Sequence, residues 1–226
     1  MPGFEPDSGH LRRVVLRAYR RRADAHTAAR LERLEHEALL DSLTHLRNHR
    51  AFQTDLDRAL AQAGRGAGAV TLVLIDLDNL KQVNDVLGHQ HGDERPKALA
   101  EAARRAARSD DGAYRVGGDE FALILADACA HGGRKLVQRL QAELAHLTGG
   151  RQTATAGIAE LAAGIDRDQL IRNADVAMLE AKAKRRELLT YSSELERDEH
   201  NPHRKNLAAA PGRTGGLRLA ETSSLG

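Results

Sequence analysis

The chain has 226 residues, enough for one ordinary domain with extensions, and its 41% of apolar residues suffice for a packed core. Its 34 Lys and Arg nearly balance 32 Asp and Glu, so a net charge of +2 excludes the single-sign field of a general nucleic-acid binder. Three Phe, three Tyr and no Trp offer few stacking surfaces for single-stranded bases, and we expect no nucleic-acid partner.

Aliphatic residues recur at helical spacing over residues 11–40, with Arg and Glu between them. This pattern predicts an amphipathic helix, and residues 1–40 are a candidate dimerising stalk. Arg21, Arg22 and Glu32 interrupt the heptad, so a coiled-coil dimer and a helix with a solvated basic face both stay open. The six Arg of residues 11–22 also suit an anionic lipid surface.

The middle of the chain alternates between helical and strand patterns. The predicted helices cover residues 48–63, 80–87, 94–107, 133–147 and 168–184. The predicted strands cover residues 70–75, 113–116, 121–126, 152–158 and 188–191. This order, with one tight hairpin, predicts an α/β (α+β) fold of the ferredoxin-like or polymerase-palm-like kind, in which helices flank a sheet containing antiparallel strands.

The end of the chain differs from the middle. From about residue 193 the sequence becomes polar, then rich in Gly, Arg and Ser, and it loses periodicity. We therefore assign residues 41–192 to the folded domain and predict a disordered tail over residues 193–226.

The sequence also bears on the compartment. No apolar run approaches the roughly 20 residues needed to span a bilayer, and the N-terminus lacks the apolar stretch of a signal peptide. The lone Cys129, expected in the core, cannot form an internal disulfide, which fits a reducing compartment. We expect a soluble, cytoplasmic protein without an integral membrane segment.

One pair of acidic residues follows the first predicted strand. Asp76 and Asp78 come where this buried strand emerges into a loop, and a carboxylate there is costly unless it meets a cation or water. A metal ligand would satisfy this demand. Asp and Asn are also ordinary strand-ending and helix-capping residues, so a purely structural role stays open.

A second pair of acidic residues lies in the hairpin. Gly117 and Gly118 permit φ above zero and would place Asp119 and Glu120 at the hairpin tip. Such a hairpin alone is more often just a turn. If a hairpin strand is the neighbour of the Asp76 strand, however, acids from both meet at one edge of the sheet. That constellation can bind two Mg²⁺ for phosphoryl transfer.

Short motifs that follow one another at suitable separations are far more specific than any one of them alone. This chain contains five such motifs. Their first residues are Asp41-Ser-Leu-Thr44, Asp76-Leu77-Asp78-Asn79-Leu80-Lys81, Gly88-His89, Gly117-Gly118-Asp119-Glu120-Phe121 and Asn173-Ala174-Asp175. In these motifs, residues 41–191 resemble the GGDEF family of diguanylate cyclases. The resemblance implies a bacterial signalling enzyme that condenses two GTP into cyclic di-GMP and two pyrophosphates, with Mg²⁺ or Mn²⁺.

The resemblance also implies roles for individual residues. Asp76 and Asp119 would be catalytic metal ligands, joined by the Leu77 carbonyl and by Glu120, which is also the candidate acceptor of the 3′-hydroxyl proton. The remaining substrate-binding candidates are Leu80, Lys81, Asn84, Asp93, Lys182 and Arg186.

Among these candidates, Asn84 and Asp93 would read guanine, because a carboxylate accepts from the N1 proton and the exocyclic amine. Lys81, Lys182 and Arg186 would neutralise the triphosphate. The alternative roles are helix capping for the first two residues and interaction with the helix dipole for the basic ones.

An Arg-x-x-Asp sequence lies shortly before the Gly117–Phe121 motif, and by the resemblance it corresponds to the family's inhibitory site. Here it consists of Arg108 and Asp111, which would bind the returning cyclic di-GMP. Arg grips phosphates or a guanine edge in bidentate fashion, and Asp accepts from guanine. An ion pair at a helix end is the alternative.

The chain departs from the family's pattern without losing a proposed ligand. The substituted positions are His45, His49, Leu80, Pro96, Leu179 and Arg185. Arg185 replaces a glycine that closes the last helix. If its φ is positive, the replacement costs about 1 kcal/mol and would shift Arg186.

The resemblance implies a homodimer, because each subunit would hold one GTP and supply half of the reacting pair. An alternative is a catalytically inactive relative that binds cyclic di-GMP or GTP as a receptor. A third alternative is an adaptor that uses the basic residues 12–22 to bind membrane or nucleic acid.

Overall fold

The structure is a computed structural model that describes residues 37–66 and 68–192, and residues 27, 30 and 195 singly. The chain divides into two units, Met1–Leu40 and Asp41–Gly226. Most of the predicted stalk and all but one residue of the predicted tail lie outside the described residues. None of the helices in the described part combines the length and apolar character needed to cross a membrane.

The second unit contains six strands and five helices among its described residues. The strands are β1 (Arg47–Asn48), β2 (Val70–Leu77), β3 (Gly112–Arg115), β4 (Glu120–Ala126), β5 (Ala154–Glu160) and β6 (Leu188–Thr190). The helices are α1 (His49–Ala63), α2 (Leu80–Leu87), α3 (His89–Ala106), α4 (Ala130–Thr148) and α5 (Arg167–Ala183).

The six strands form one mixed sheet in the order β1-β3-β4-β2-β5-β6. The four central strands pair antiparallel, while β1 pairs parallel with β3 and β6 pairs parallel with β5. Helices flank this sheet, so the predicted class of fold is confirmed. The hairpin strand β4 is indeed the neighbour of the Asp76 strand.

Side-chain alternation along β2 decides which helices its residues meet. Val73, Ile75 and Leu77 belong to the hydrophobic cluster shared with α3 and α4. The intervening side chains, Asp76 among them, lie on the other face, where α1 and α5 pack. Helix α5 approaches β5 so closely that a Cβ on Gly157 would overlap its backbone.

Several element boundaries differ from the sequence prediction. Strand β2 runs two residues further than predicted, so Asp76 lies within the sheet rather than in a loop. The short β1 was not predicted, because two residues carry no detectable periodicity. Helix α3 starts at His89, not residue 94, and has Pro96 inside it. Cys129 was expected in the core and is exposed, because it precedes α4 as its N-cap residue.

Candidate active site

Strand pairing brings the two predicted acidic pairs to one rim of the sheet. Asp76 on β2 lies directly opposite Glu120 on β4. The backbone N–H of Leu77 donates to the Asp119 carbonyl at 2.9 Å, which ties the hairpin tip to the end of β2. The acidic rim, as we call Asp76, Leu77, Asp119 and Glu120, is therefore tied to the strand ladder that forms the core.

Helix α5 adds a cation to the acidic rim. The Lys182 ammonium lies 2.6 Å from Asp76 Oδ1, and the exposed fractions of the two side chains are 36% and 16%. Burial raises the pKa of the Asp76 carboxyl above that of an ordinary aspartate, although the hydrogen bond and charge of Lys182 oppose this effect. Lys182 was predicted to neutralise a triphosphate, and without ligand it neutralises Asp76.

Glu120 is an acidic residue of the rim with little compensation from its surroundings. Burial raises the pKa of its carboxyl, and the negative charges of Asp119, Asp76 and Asp175 raise it further. Its Oε2 atom is buried without a hydrogen-bond partner among the described residues. A buried, unsatisfied carboxylate oxygen is costly, so this atom is suited to a cation or a proton.

The glycines of the hairpin act differently from the prediction. Neither Gly117 nor Gly118 has a positive φ. Instead, a Cβ on Gly117 would lie 2.6 Å from Glu120 Oε2, closer than real Cβ contacts come. Gly117 therefore makes room for the Glu120 carboxylate, a close approach that sequence reasoning mistook for a demand on backbone conformation.

The rim is chemically suited to a hard divalent cation. Carboxylate and carbonyl oxygens are the ligands that Mg²⁺ prefers, and the unpartnered Glu120 Oε2 lies beside Asp76, which already meets a positive charge. Within the described residues, no group of three or more His, Cys, Asp or Glu side chains is already arranged around a metal position. The rim thus supplies oxygen ligands suited to a cation, while Lys182 balances part of their negative charge.

Asp78 has a different role from Asp76 although the two are only two residues apart. Its carboxylate accepts from the Thr153 hydroxyl at 2.7 Å and from the Thr155 hydroxyl at 2.9 Å. Its carbonyl accepts from Gln152 Nε2 at 3.0 Å. These bonds join the end of β2 to β5, so Asp78 is a structural anchor. This is the purely structural role that the sequence left open for the first acidic pair.

A second anchor joins the beginning of the domain to the hairpin. Asp41 accepts from the backbone N–H of Thr44 at 2.8 Å and forms an ion pair with Arg115 at 3.1 Å. Arg115 in turn donates to the Gly118 carbonyl at 2.7 Å. Burial favours a higher pKa for Asp41, but the Thr44 hydrogen bonds and Arg115 outweigh it, and the pKa is lowered.

The guanine-reading candidates lie on the α2–α3 segment, residues 80–93. Asn84 is half-buried, while Asp93 and Lys81 are exposed. Leu80 is 8% exposed and belongs to the hydrophobic core, so it anchors α2. Val86 and Leu87, at 79% and 55% exposed, leave the rest of α2 with little apolar contact.

The last predicted phosphate-binding residue follows α5. Arg186 is exposed, and its backbone N–H donates to the Ala181 carbonyl at 2.8 Å. Arg185 has a φ of 52°, so the positive φ considered from the sequence is present. His45, another position that departs from the family's pattern, also has a positive φ, 55°. The backbone at both positions is in the left-handed region, which glycine adopts more easily than His or Arg.

The Arg108–Asp111 pair forms a turn rather than an ion pair. The backbone N–H of Arg108 donates to Asp111 Oδ2 at 2.8 Å, and the Asp111 N–H donates to the Arg108 carbonyl at 3.2 Å. Among the described residues no ion pair includes Arg108, whose side chain is exposed. The helix-end ion pair suggested as the alternative is therefore absent there.

Sequence reasoning named all four residues of the rim but missed two contributions to their surroundings. It assigned no role to Asp175, which lies two helical turns before Lys182 on α5 and acts on Glu120 electrostatically. The i, i+7 spacing of these residues could have indicated a shared helix face. It also missed Gly117 as a space-maker, because nothing local in the sequence reports that contact.

Comparisons with known proteins agree with this geometry. The family described as diguanylate cyclase, GGDEF domain, matches residues 38–188. Diguanylate cyclase DgcS of Shewanella oneidensis is 33% identical over 159 residues, which are 69% of this chain and 53% of DgcS. Diguanylate cyclase DgcP of Pseudomonas aeruginosa is 32% identical over 189 residues, 80% of this chain and 28% of DgcP. The chain thus spans about half of one relative and less of the other.

A solved structure shows the same fold. The coiled coil and GGDEF domain of DgcB from Caulobacter crescentus, in complex with c-di-GMP, superposes with a TM-score of 0.70 at 29% identity. The match covers 83% of this chain and 100% of the DgcB chain. The sheet and its helices therefore have the architecture of GGDEF structures, as the sequence predicted.

Proposed function

The chain belongs to the GGDEF family of diguanylate cyclases, and we propose that it condenses two GTP into cyclic di-GMP and two pyrophosphates with two Mg²⁺ or Mn²⁺ ions. The observation that carries the proposal is the pairing of Asp76 with Glu120 across β2 and β4, beside the ammonium of Lys182. Acid oxygens and one cation that lie together suit a triphosphate with its metal ions, and this supports the proposal.

Asp76, the Leu77 carbonyl, Asp119 and Glu120 would hold the ions. Bound there, the ions supply positive charge to the triphosphate and lower the pKa of the attacking hydroxyl. Lys182, Lys81 and Arg186 add positive charge around the phosphates, and Lys182 would leave Asp76 to do so. The acidic rim is built on paired core strands, which supports the proposal that its acids are positioned before substrate binds.

Glu120 is our proposed general base. The 3′-oxygen of one GTP attacks the α-phosphorus of the other, its proton passes to the Glu120 carboxylate, and the bond to pyrophosphate breaks. The raised pKa of Glu120 suits this role, because a carboxylate with a higher pKa is a stronger base. The same step repeated in the other direction closes the cyclic dinucleotide.

A direct assay decides the activity. The purified chain, incubated with Mg²⁺ and GTP, should yield cyclic di-GMP and two equivalents of pyrophosphate by chromatography, and ATP should not react. Glu120→Gln is the matched control for a contaminating cyclase. Absence of product at every protein concentration would instead favour the catalytically inactive relative.

The base preference is proposed to reside in Asn84 and Asp93. Both lie on the α2–α3 segment, and Asp93 offers an exposed carboxylate to the N1 and amino protons of guanine. Asp93→Ala should reduce the preference for GTP over ATP. An unchanged preference would remove Asp93 from the assignment.

Two protomers are proposed to face each other, each presenting one bound GTP, because one protomer offers only half of the reacting pair. Residues 1–40 are the proposed means of dimerisation. Specific activity should therefore rise with protein concentration through the monomer–dimer transition measured by ultracentrifugation. Specific activity that stays constant across the transition would contradict the half-site arrangement.

Product inhibition is proposed to act through Arg108 and Asp111. The turn between them leaves the Arg108 guanidinium exposed and able to grip a phosphate or a guanine edge. Arg108→Ala should relieve inhibition by added cyclic di-GMP without loss of the initial rate. Inhibition of unchanged strength would exclude the site.

A further inference from the structure

Gly92, in the first turn of α3, lies against the side chain of Asn84. A Cβ built on Gly92 would overlap Asn84 Oδ1 and lie 2.8 Å from Cγ and 3.4 Å from Nδ2. All three of these nearest atoms belong to Asn84. The Asn84 carboxamide therefore occupies the space that a Cβ at position 92 would need.

The usual reasons for a glycine do not apply at this position. Gly92 lies inside a helix and does not have a positive φ, so backbone conformation does not require it. Glycine is unfavourable within a helix, because it loses more conformational freedom on folding than any other residue. The observed benefit is the space left for Asn84.

We propose that Gly92 is a specificity-determining positioning residue, whose missing side chain gives the Asn84 carboxamide its place beside Asp93. The inference rests on the proposed function, because it assumes that Asn84 contacts guanine. Gly92 immediately precedes Asp93, so the Asn84 amide packs on the residue adjacent to the one whose carboxylate is proposed to complete the reading of the base.

Two backbone hydrogen bonds join the residues around this contact, so we expect a clash to move the flexible end of the Asn84 side chain before the backbone. The Gly88 N–H donates to the Asn84 carbonyl at 3.0 Å, and the Gly92 N–H donates to the Gly88 carbonyl at 3.2 Å. Gly92 is buried, whereas Asn84 is half-buried and has a route to solvent. A methyl group at position 92 would thus rotate the carboxamide outward and leave the fold intact.

The test measures binding of α,β-methylene analogues of GTP and ATP, in which the methylene bridge blocks condensation. Gly92→Ala should weaken binding of the guanine analogue about tenfold, the value of roughly one hydrogen bond, and leave the adenine analogue unchanged. Gly132→Ala is the matched control, because it changes another helical glycine whose Cβ would make an ordinary 3.4 Å contact with Ala128. It should change neither affinity.

A double-mutant cycle separates this inference from the proposed function. Asn84→Ala should weaken guanine binding, and adding Gly92→Ala to it should have no further effect, since the clashing atoms are gone. If Asn84→Ala weakens binding but Gly92→Ala does not, the inference alone is wrong. If Asn84→Ala has no effect, the guanine assignment and the inference both fail. Equal weakening of both analogues, a further loss in the double variant, or unfolding of Gly92→Ala would indicate a merely structural glycine and overturn the proposal.

Discussion

The acidic rim and the α2–α3 segment are built in contrasting ways. The rim is part of β2 and β4. On β2 every residue from Val70 to Ile75 is buried, and burial disfavours the charged form of the carboxylates that follow. On α2 only Leu80 is buried, and the neighbouring α3 contains Pro96, which lacks the N–H that would bond the Gly92 carbonyl. The acids proposed for the chemistry therefore lie on buried, paired strands, whereas the residues proposed for base recognition lie on a lightly packed segment.

The largest effect is expected from a substitution that removes a functional group of the rim and keeps its structure. Glu120→Gln keeps the shape of the side chain but removes its ability to accept a proton and its negative charge, so cyclic di-GMP formation should fall on the order of 10³-fold. The melting temperature should stay the same or rise, because a buried charge beside other carboxylates is lost. Turnover and calorimetry of the same sample check both parts. A strongly destabilised variant would show that the rim is not preorganised as described.

The second prediction compares anchored and unanchored residues of α2. Leu80→Ala should cost about 2–3 kcal/mol of unfolding free energy, because Leu80 belongs to the core. Val86→Ser, at a position 79% exposed, should change it by less than about 0.5 kcal/mol. Chemical denaturation of both variants measures the difference. Similar losses for the two would mean that α2 is packed throughout.

The third prediction concerns the cation of the rim. Lys182→Met leaves Asp76 without its partner and should lower stability by about 1–2 kcal/mol in chelator, between the values for surface and buried pairs. Added Mg²⁺ should raise the melting temperature more in this variant than in the parent, because no ammonium competes for Asp76. Lys135→Met, at an exposed position on α4, is the control. An identical Mg²⁺ response in all three proteins would contradict the exchange of Lys182 for metal.

The smallest expected effect lies just beyond the rim, at the end of α5. Arg185→Gly should stabilise the protein by about 1 kcal/mol, because its φ of 52° suits glycine. Arg172→Gly, within α5, should destabilise it by about as much. Thermal unfolding gives the two signs. If both substitutions destabilise, the left-handed position is not strained, and if Arg185→Gly also alters turnover, the rim depends on this turn.

Much of the fold was predictable because its signals are local. The apolar run at Val70 to Ile75, the helical spacing around it and the Gly-Gly turn each depend on neighbouring residues. The errors occurred where a long-range contact decides. Residues 76 and 77 join β2 because β4 and β5 pair with them, and the two-residue β1 exists only through its pairing with β3.

The sequence by itself determined the order of helices and strands, the two acidic pairs and the family to which the chain belongs. Only the tertiary structure separated Asp76, which faces Lys182, from Asp78, which is bound by Thr153 and Thr155. It alone showed that Gly117 and Gly92 are spaces filled by other side chains. The physical reason is that sequence periodicity indicates which face of a helix or strand a residue occupies. Strand register and helix packing decide which other groups it contacts on that face.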